Sequence, residues 1–355
     1  MSADRAVPPG AERPVSPGDD GALAPGLHRA LAPAKVNLGL FVGPVRESDG
    51  RHELVSVMQS ISLADELTLE AAPAGVESDE VICPGVQTAP EDNLAAAALR
   101  AFRASTGWRA PALRLSIVKR IPVAAGLGGG SADAAAALRL SRHASGLGDE
   151  RLLRTLGAQL GADVPAQVSP GRWLASGAGE CLRELPPPRA PFGVLVLALP
   201  AALSTAAVYA EADRLALSRT AQALEERRLE LRAALEHGAA LPAATELLHN
   251  DLQRAAVSLC PPIADALAQA RTARAELVFV SGSGPTVVGL FGPALSTRGG
   301  GSRDGGVERA RAAAASLADR VPAPICAAPV DAAFARPVTL DVSERRPRAS
   351  QSSNQ

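Results

Sequence analysis

The run Ile121-Pro122-Val123-Ala124-Ala125-Gly126-Leu127-Gly128-Gly129-Gly130-Ser131-Ala132-Asp133, leading straight into Ala134-Ala135-Ala136-Ala137-Leu138, narrows the choice of fold more than any other stretch. Before it, Leu113-Arg114-Leu115-Ser116-Ile117-Val118 alternates as a half-buried strand does. After it, the alanines favour helix strongly, so the glycines fall at a strand-to-helix turn. Without Cβ atoms the backbone there can take φ > 0 and converge its N–H groups. Ser131 is placed to cap the helix, whose positive end faces the loop. Such a turn cradles polyphosphate. Two better-known phosphate loops fail on spacing. No Lys-Ser/Thr follows Gly130 as a Walker A loop needs, and a dinucleotide fingerprint counted from Gly126 meets Ser131 where it needs glycine.

The chain has 355 residues, enough for two domains and a large core. Its formal charge of −1 supplies no field for nucleic acid or an acidic membrane surface. The apolar stretch around Pro191 to Tyr209 is interrupted by proline, so it reads as buried strand plus helix rather than a membrane span. The Pro-, Gly-, Asp- and Arg-rich start lacks the apolar core of a signal peptide. Cys83, Cys181, Cys260 and Cys326 are far apart with no CxxC pair, which predicts reduced thiols in a cytoplasmic protein. Of 36 basic residues only Lys35 and Lys119 are lysine. In so arginine-dominated a chain these two mark positions that want a compact ammonium rather than a wide planar fork.

The pattern along the chain predicts a disordered leader over 1–27 and a strand from Leu31 to Val42. After the Asp49-Gly50 turn come further strand over 55–69 and a helix over 94–105. A helix over 149–160 stops at Gly161-Ala162-Asp163-Val164-Pro165, and strand pieces follow over 172–185. Pro186-Pro187-Pro188 reads as a linker. Beyond it the expected elements are a strand over 192–199, a helix capped by Ser204 and running through Tyr209, and one long charged helix over 214–236. Helices from 251 and over 263–274 lead to a strand at 277–280, the second glycine turn Ser281-Gly282-Ser283-Gly284-Pro285-Thr286, and a strand at 287–291. A mobile loop over 293–306, a helix over 307–318, a strand over 325–332 and a polar, disordered tail complete the chain. No internal repeat is present. This divides the chain into domains over 28–185 and 189–335, with the leader before them and a tail over 336–355.

Pro33-Ala34-Lys35-Val36-Asn37, Pro122 to Ala132 and Gly282-Ser283-Gly284-Pro285-Thr286 resemble the three ordered motifs of the GHMP kinases, which phosphorylate small-molecule alcohols with ATP. The resemblance covers about residues 29 to 335. It implies an α+β, two-domain fold: an N-terminal ribosomal-protein-S5-like α/β domain, a C-terminal ferredoxin-like α+β domain, and the active site in the cleft between them. Asp49-Gly50-Arg51-His52-Glu53-Leu54, Gly161-Ala162-Asp163-Val164-Pro165 and Asn250-Asp251-Leu252 point within the family to kinases whose acceptor carries a cytidine diphosphate. They point away from the mevalonate, phosphomevalonate and homoserine kinase types. A catalytically dead sensor of the same fold is the other alternative, and it would be expected to lose Lys35 or Asp163.

Phosphoryl transfer to an alcohol needs the hydroxyl in line and an acceptor for its proton. A carboxylate beside an ammonium stays ionised at neutral pH. The resemblance assigns Asp163 as that base and Lys35 as its partner. It assigns the loop Pro122, Val123, Ala124, Ala125, Gly126, Leu127, Gly128, Gly129, Gly130, Ser131 and Ala132 to the phosphates of ATP, with Ser131 also a contact for Mg²⁺. The second glycine turn would approach this loop from across the cleft. Asn37, His52 and Tyr209 are the residues expected at the substrate, Tyr209 as a ring on which cytosine stacks. His52 either meets the base edge or serves the structure, and Tyr209 either stacks on the base or packs on the core. Lys119 either lies near phosphate or is a strand-edge charge. Arg51 stands where the family commonly has an aromatic residue. The implied partner is a small cytidyl diphosphate substrate, with neither nucleic acid nor membrane, for a monomer or weak homodimer.

Overall fold

Two long antiparallel strands, β1 (Leu27–Val45) and β2 (His52–Ala71), form the frame of the first sheet. The computed structural model describes residues 23–86, 92–190, 192–236, 247–292, 305–320 and 322–340. Most of the expected leader, nearly all of the loop over 293–306 and the tail beyond 340 lie outside the described residues.

The register of β1 against β2 shifts between Pro33 and Lys35 and again between Asn37 and Gly39. Pro33 has no N–H to give a ladder, so a bulge there is the form a strand takes around proline. β2 is long enough to serve two further neighbours. Its Glu66–Ala71 end pairs with β4 (Leu113–Val118), and its Ser56–Gln59 part pairs with β5 (Arg172–Ser176). β3 (Glu80–Ile82) lies parallel to β4, and β6 (Cys181–Leu185) is antiparallel to β5. Helices α1 (Leu94–Thr106), α2 (Gly129–Ser145), α3 (Glu150–Leu160) and α4 (Val164–Val168) belong to this half. The alanines of α2 are all buried, Ala134, Ala135 and Ala136 completely. A helix with alanine methyls at 132, 134–137 and 144 can lie close against β1, β2 and α1 at once.

The second sheet has the order β10-β7-β9-β8, every pair antiparallel, from β7 (Gly193–Leu197), β8 (Leu277–Val280), β9 (Val287–Phe291) and β10 (Ile325–Ala327). Between β7 and β8 run α5 (Thr205–Arg214), α6 (Ala221–Glu236), α7 (Gln253–Leu259) and α8 (Pro262–Thr272). Helix α9 (Gly305–Ser316) connects β9 to β10. This is the β-α-β-β-α-β order of a ferredoxin-like unit. Leu40 and Val42 of β1 are buried in the same apolar cluster as Leu195 and Leu197 of β7, so the two halves share packed surface.

Three elements differ from the sequence expectation. The helix expected over 214–236 starts only at Ala221, because α5 runs on to Arg214 and the chain turns between α5 and α6 with Ala216 at φ +51°. There Arg219 N–H donates to Val42 O at 2.8 Å and Leu217 packs on the second core, contacts that continuous helix would forfeit. The strand expected over 325–332 ends at Ala327; a 3₁₀ turn over Ala332–Ala335 follows, capped by Asp331. Val338–Leu340, read from its polarity as the start of a disordered tail, is strand β11 and pairs with Leu27–Arg29 of β1. The edge of β1 offers unpaired backbone there, and Thr339 Oγ1 bonds to His28 Nδ1 at 3.1 Å.

Candidate active site

The turn between β4 and α2 has Ala124, Gly126 and Gly128 at positive φ, and Gly128 is the N-cap of α2 at φ +69°. Ser131 therefore does not cap the helix, contrary to the sequence expectation. The helix starts two residues before it, and no side chain satisfies the first-turn donors. The first intrahelical bond runs from Ala132 N to Gly128 O at 2.9 Å. Earlier N–H groups of the turn, with the positive end of the helix dipole, are left for an anion.

A cavity of about 410 Å³ lies over this turn, lined by every residue from Pro122 to Ser131 and by Asn93, Leu94, Lys119 and Asp133. Ala132 does not line it; that residue is 1% exposed and packs inside α2. Asn93 caps α1, its Oδ1 accepting from Ala95 N at 2.9 Å, which brings a second helix N-terminus to the same cavity. Lys119 is a strand-edge cation turned inward. Its Nζ donates to Asp133 Oδ2 at 2.7 Å and to Asp65 Oδ2, while Asp65 Oδ1 accepts from Ile121 N at 2.8 Å. Burial pushes the Asp133 carboxyl up to about 7; the Lys119 ammonium opposes that rise and the Asp65 charge adds to it. Burial would lower Lys119, but the two carboxylates outweigh it and hold the ammonium up. Asp65 had no signal in the sequence except through its partner, one of only two lysines in the chain.

A second cavity, of about 320 Å³, opens on the other side of the turn and shares Gly126, Gly128 and Ser131 with the first. Its lining brings together β1, α4, α5 and the second glycine turn through Lys35, Asn37, Asp163, Tyr209 and Ser283. Lys35 is 8% exposed, and its backbone N–H donates to Leu127 O at 2.9 Å, pinning β1 to the first glycine turn. Its Nζ lies 3.3 Å from Asp163 Oδ2 and donates to Asn37 Oδ1 at 2.6 Å. Asn37 Nδ2 donates to Ser56 Oγ at 2.7 Å, and Ser56 Oγ to Gly39 O at 2.9 Å, so the amide is fixed. Asp163 stands at the N-terminus of α4 without capping it, which leaves its carboxylate for Lys35 and the cavity.

Gly128 has to be glycine. A Cβ there would sit 3.0 Å from Lys35 Cγ, 3.2 Å from Cε and 3.7 Å from Asp163 Oδ2. The two glycine turns touch, as expected: a Cβ on Gly126 would fall 2.6 Å from Gly284 O. Asn250 holds the second turn by donating from Nδ2 to both Val280 O and Gly282 O at 2.7 Å.

Tyr209 lines the second cavity, and burial, with the Asp163 charge behind it, pushes its hydroxyl up to about 12. His52 does not line that cavity. Its Nδ1 meets Gly43 O at 2.9 Å, its Nε2 meets Asp213 at 3.2 Å, and its ring lies 5.3 Å from that of Tyr209. Both ring nitrogens have partners in this structure, and the ring backs that of Tyr209. Arg51, 56% exposed at its side chain, pairs with Asp49 and lines neither cavity. Among the described residues no group of three or more His, Cys, Asp or Glu side chains is arranged to hold a metal ion.

The GHMP kinases N terminal domain matches residues 93–171 and the GHMP kinases C terminal domain matches residues 221–318. The 4-diphosphocytidyl-2-C-methyl-D-erythritol kinase of Corynebacterium efficiens is 40% identical over 279 residues, 74% of this chain and 85% of that protein. The kinase of the same name from Streptomyces coelicolor is 42% identical over 270 residues, 74% of this chain and 87% of that protein. A crystal structure of 4-(cytidine 5′-diphospho)-2C-methyl-D-erythritol kinase superposes with a TM-score of 0.63 at 30% identity, covering 85% of this chain and 98% of that one. The chain belongs to the GHMP kinase family, within the group of these ATP-dependent small-molecule kinases.

Proposed function

We propose that this GHMP kinase transfers the γ-phosphoryl group of ATP to the 2-hydroxyl of 4-diphosphocytidyl-2-C-methyl-D-erythritol, giving ADP and the 2-phosphate in the non-mevalonate route to isoprenoid precursors. The observation that carries the reading is the Lys35–Asp163 pair, 3.3 Å apart, at the place where the two cavities meet across Gly128. ATP occupies the first cavity with its outer phosphates on the N–H groups at the start of α2. The acceptor occupies the second, its cytosine against Tyr209. As the new O–P bond forms, Asp163 takes the hydroxyl proton, and the bond from the γ-phosphorus to the ADP oxygen breaks. Lys35 holds the Asp163 carboxylate through Oδ2 and offsets negative charge on the transferring group. Asn37, fixed through Ser56, holds Lys35 in place.

Mg²⁺ takes most of its ligands from phosphate and water and needs one or two protein oxygens. Ser131, which lines both cavities, suits that donor set. The ion would lower the charge on the phosphates.

The acting unit is inferred to be a monomer or weak homodimer. The four cysteines are unpaired, as suits the cytoplasm, and no helix among the described residues is long and apolar enough to cross a membrane. ADP release measured with 4-diphosphocytidyl-2-C-methyl-D-erythritol, mevalonate, phosphomevalonate and homoserine tests the assignment. Turnover with the first alone is expected. Faster turnover with another acceptor would move the chain to that kinase type, and turnover with none would make it a sensor.

A further inference from the structure

The segment Asn250-Asp251-Leu252, just before α7, touches β1 on one side and the end of β8 on the other. It lies along β1 as a single parallel rung: Leu40 N donates to His249 O and Asp251 N donates to Leu40 O, both at 2.9 Å. Two residues further along β1, Val42 N donates to Asp251 Oδ2 at 3.0 Å, and Arg219 Nε donates to the same oxygen at 2.6 Å. The segment is thereby fixed to the strand that carries Lys35 and Asn37.

From that anchorage Asn250 reaches the other way. It is 5% exposed, and both of its amide hydrogens are spent, Nδ2 donating to Val280 O and to Gly282 O at 2.7 Å each. Oδ1 accepts from Leu252 N at 2.9 Å. Two carbonyls facing one nitrogen dictate which end of the amide meets the turn. A hydroxyl has one donor and a carboxylate none, so neither could hold both carbonyls.

The turn so held stands on the Lys35–Asn37 pair. Ser281, completely buried, accepts at Oγ from Asn37 N at 3.2 Å. Gly282, at φ +59°, comes so close that a Cβ on it would lie 3.2 Å from Asn37 Oδ1 and 3.9 Å from Lys35 Nζ. Lys35 Nζ donates to that same Oδ1 at 2.6 Å. The contacts close a triangle: β1 to Asn250, Asn250 to the second glycine turn, and the turn back to β1 at Asn37.

We propose that Asn250 and Ser281 are positioning residues for Lys35, holding the second glycine turn against Asn37 and so setting the ammonium on Asp163. The kinetic consequence rests on Lys35 and Asp163 being the transfer pair; the placing of Lys35 does not.

Lys35 and Lys119 are the only lysines of the chain, so lysine isotopically labelled at Cε gives two NMR signals, and Lys35→Arg identifies the first by its loss. Spectra are taken of the full chain without substrate. Asn250→Ser keeps an oxygen for Leu252 N but gives up the grip on the two carbonyls, and Ser281→Ala gives up the bond from Asn37 N. Each should move the Lys35 signal, leave that of Lys119 in place, and lower kcat about 10-fold with KM for ATP changed by less than about twofold. Gln253→Ala is the matched control. It removes the bond from Val280 N to Gln253 Oε1, 3.1 Å long, on the same strand, and should move neither signal nor lower kcat. A Lys35 signal unmoved in either variant, or moved as far by Gln253→Ala, would overturn the proposal. A moved signal at parental kcat would uphold the positioning and refute instead the part given to Lys35 in the transfer. If one of the two variants does not fold, the other decides.

Discussion

Gly128→Ala separates what the first glycine turn does for stability from what it does for chemistry. The backbone there is left-handed, at φ +69°, which a residue with a Cβ adopts at a cost of about 1–2 kcal/mol. The new methyl would also stand 3.0 Å from Lys35 Cγ and 3.2 Å from Cε, inside ordinary contact distance. Leu127 O grips the Lys35 backbone, so the side chain has to yield, and with it the ammonium 3.3 Å from Asp163 and 2.6 Å from Asn37. Misplacement of a reacting group by about 1 Å can lower a rate on the order of 10²-fold; a shift of a few tenths should lower kcat roughly 10-fold or more.

Gly146→Ala is the matched control. Gly146 is the C-cap of the same helix at φ +68°, and an added Cβ there would meet nothing within 4 Å. Both variants should lose similar stability in urea titrations, about 1–2 kcal/mol. Only Gly128→Ala should lose kcat in a coupled ADP-release assay, with KM for ATP changed much less. Equal kcat in the two variants would refute the argument that the turn positions Lys35.

Two further outcomes follow from the site. Tyr209→Ala removes the ring that faces the acceptor cavity and should raise KM for the cytidyl substrate about 5- to 100-fold, with stacking worth about 1–3 kcal/mol, while Tyr209→Phe should stay close to the parent; an unchanged KM in the alanine variant would assign Tyr209 to packing. Asp133 binds its proton more tightly folded than unfolded, its carboxyl raised to about 7 from an ordinary value near 4, so the stability it contributes is complete below about pH 4 and is lost as pH rises through 7. Urea midpoints measured from pH 4 to pH 8 should therefore fall less steeply in Asp133→Asn than in the parent chain, and identical slopes would contradict the raised carboxyl.

Local signals made the glycine turn legible in the sequence, whereas the α+β fold and the Lys35–Asp163 pairing, 128 positions apart, came from the resemblance to the GHMP kinases. Glycine clusters, the alanine run and the rarity of lysine are properties of neighbouring residues, which a reader of the chain can see. The start of α2 was misplaced because serine is the usual cap, whereas Gly128 takes that position in a left-handed conformation that a side chain would disfavour. For His52 the sequence left a base edge and a structural role both open, and only the fold shows Gly43 O and Asp213 beside its nitrogens. The Asp65–Lys119–Asp133 cluster joins residues 54 and 14 positions apart, and no periodicity announces such a contact. β11 was hidden for the same reason, since its partner lies at the opposite end of the chain.

Asp163→Asn tests the phosphoryl-transfer account at its root, because it keeps the shape of the side chain and the N-terminus of α4 while removing the proton acceptor. Turnover should fall on the order of 10²–10⁴-fold while ATP affinity, measured by direct titration, stays at the parent value. Turnover near that of the unmodified enzyme would show that another group, or none, takes the proton from the acceptor hydroxyl.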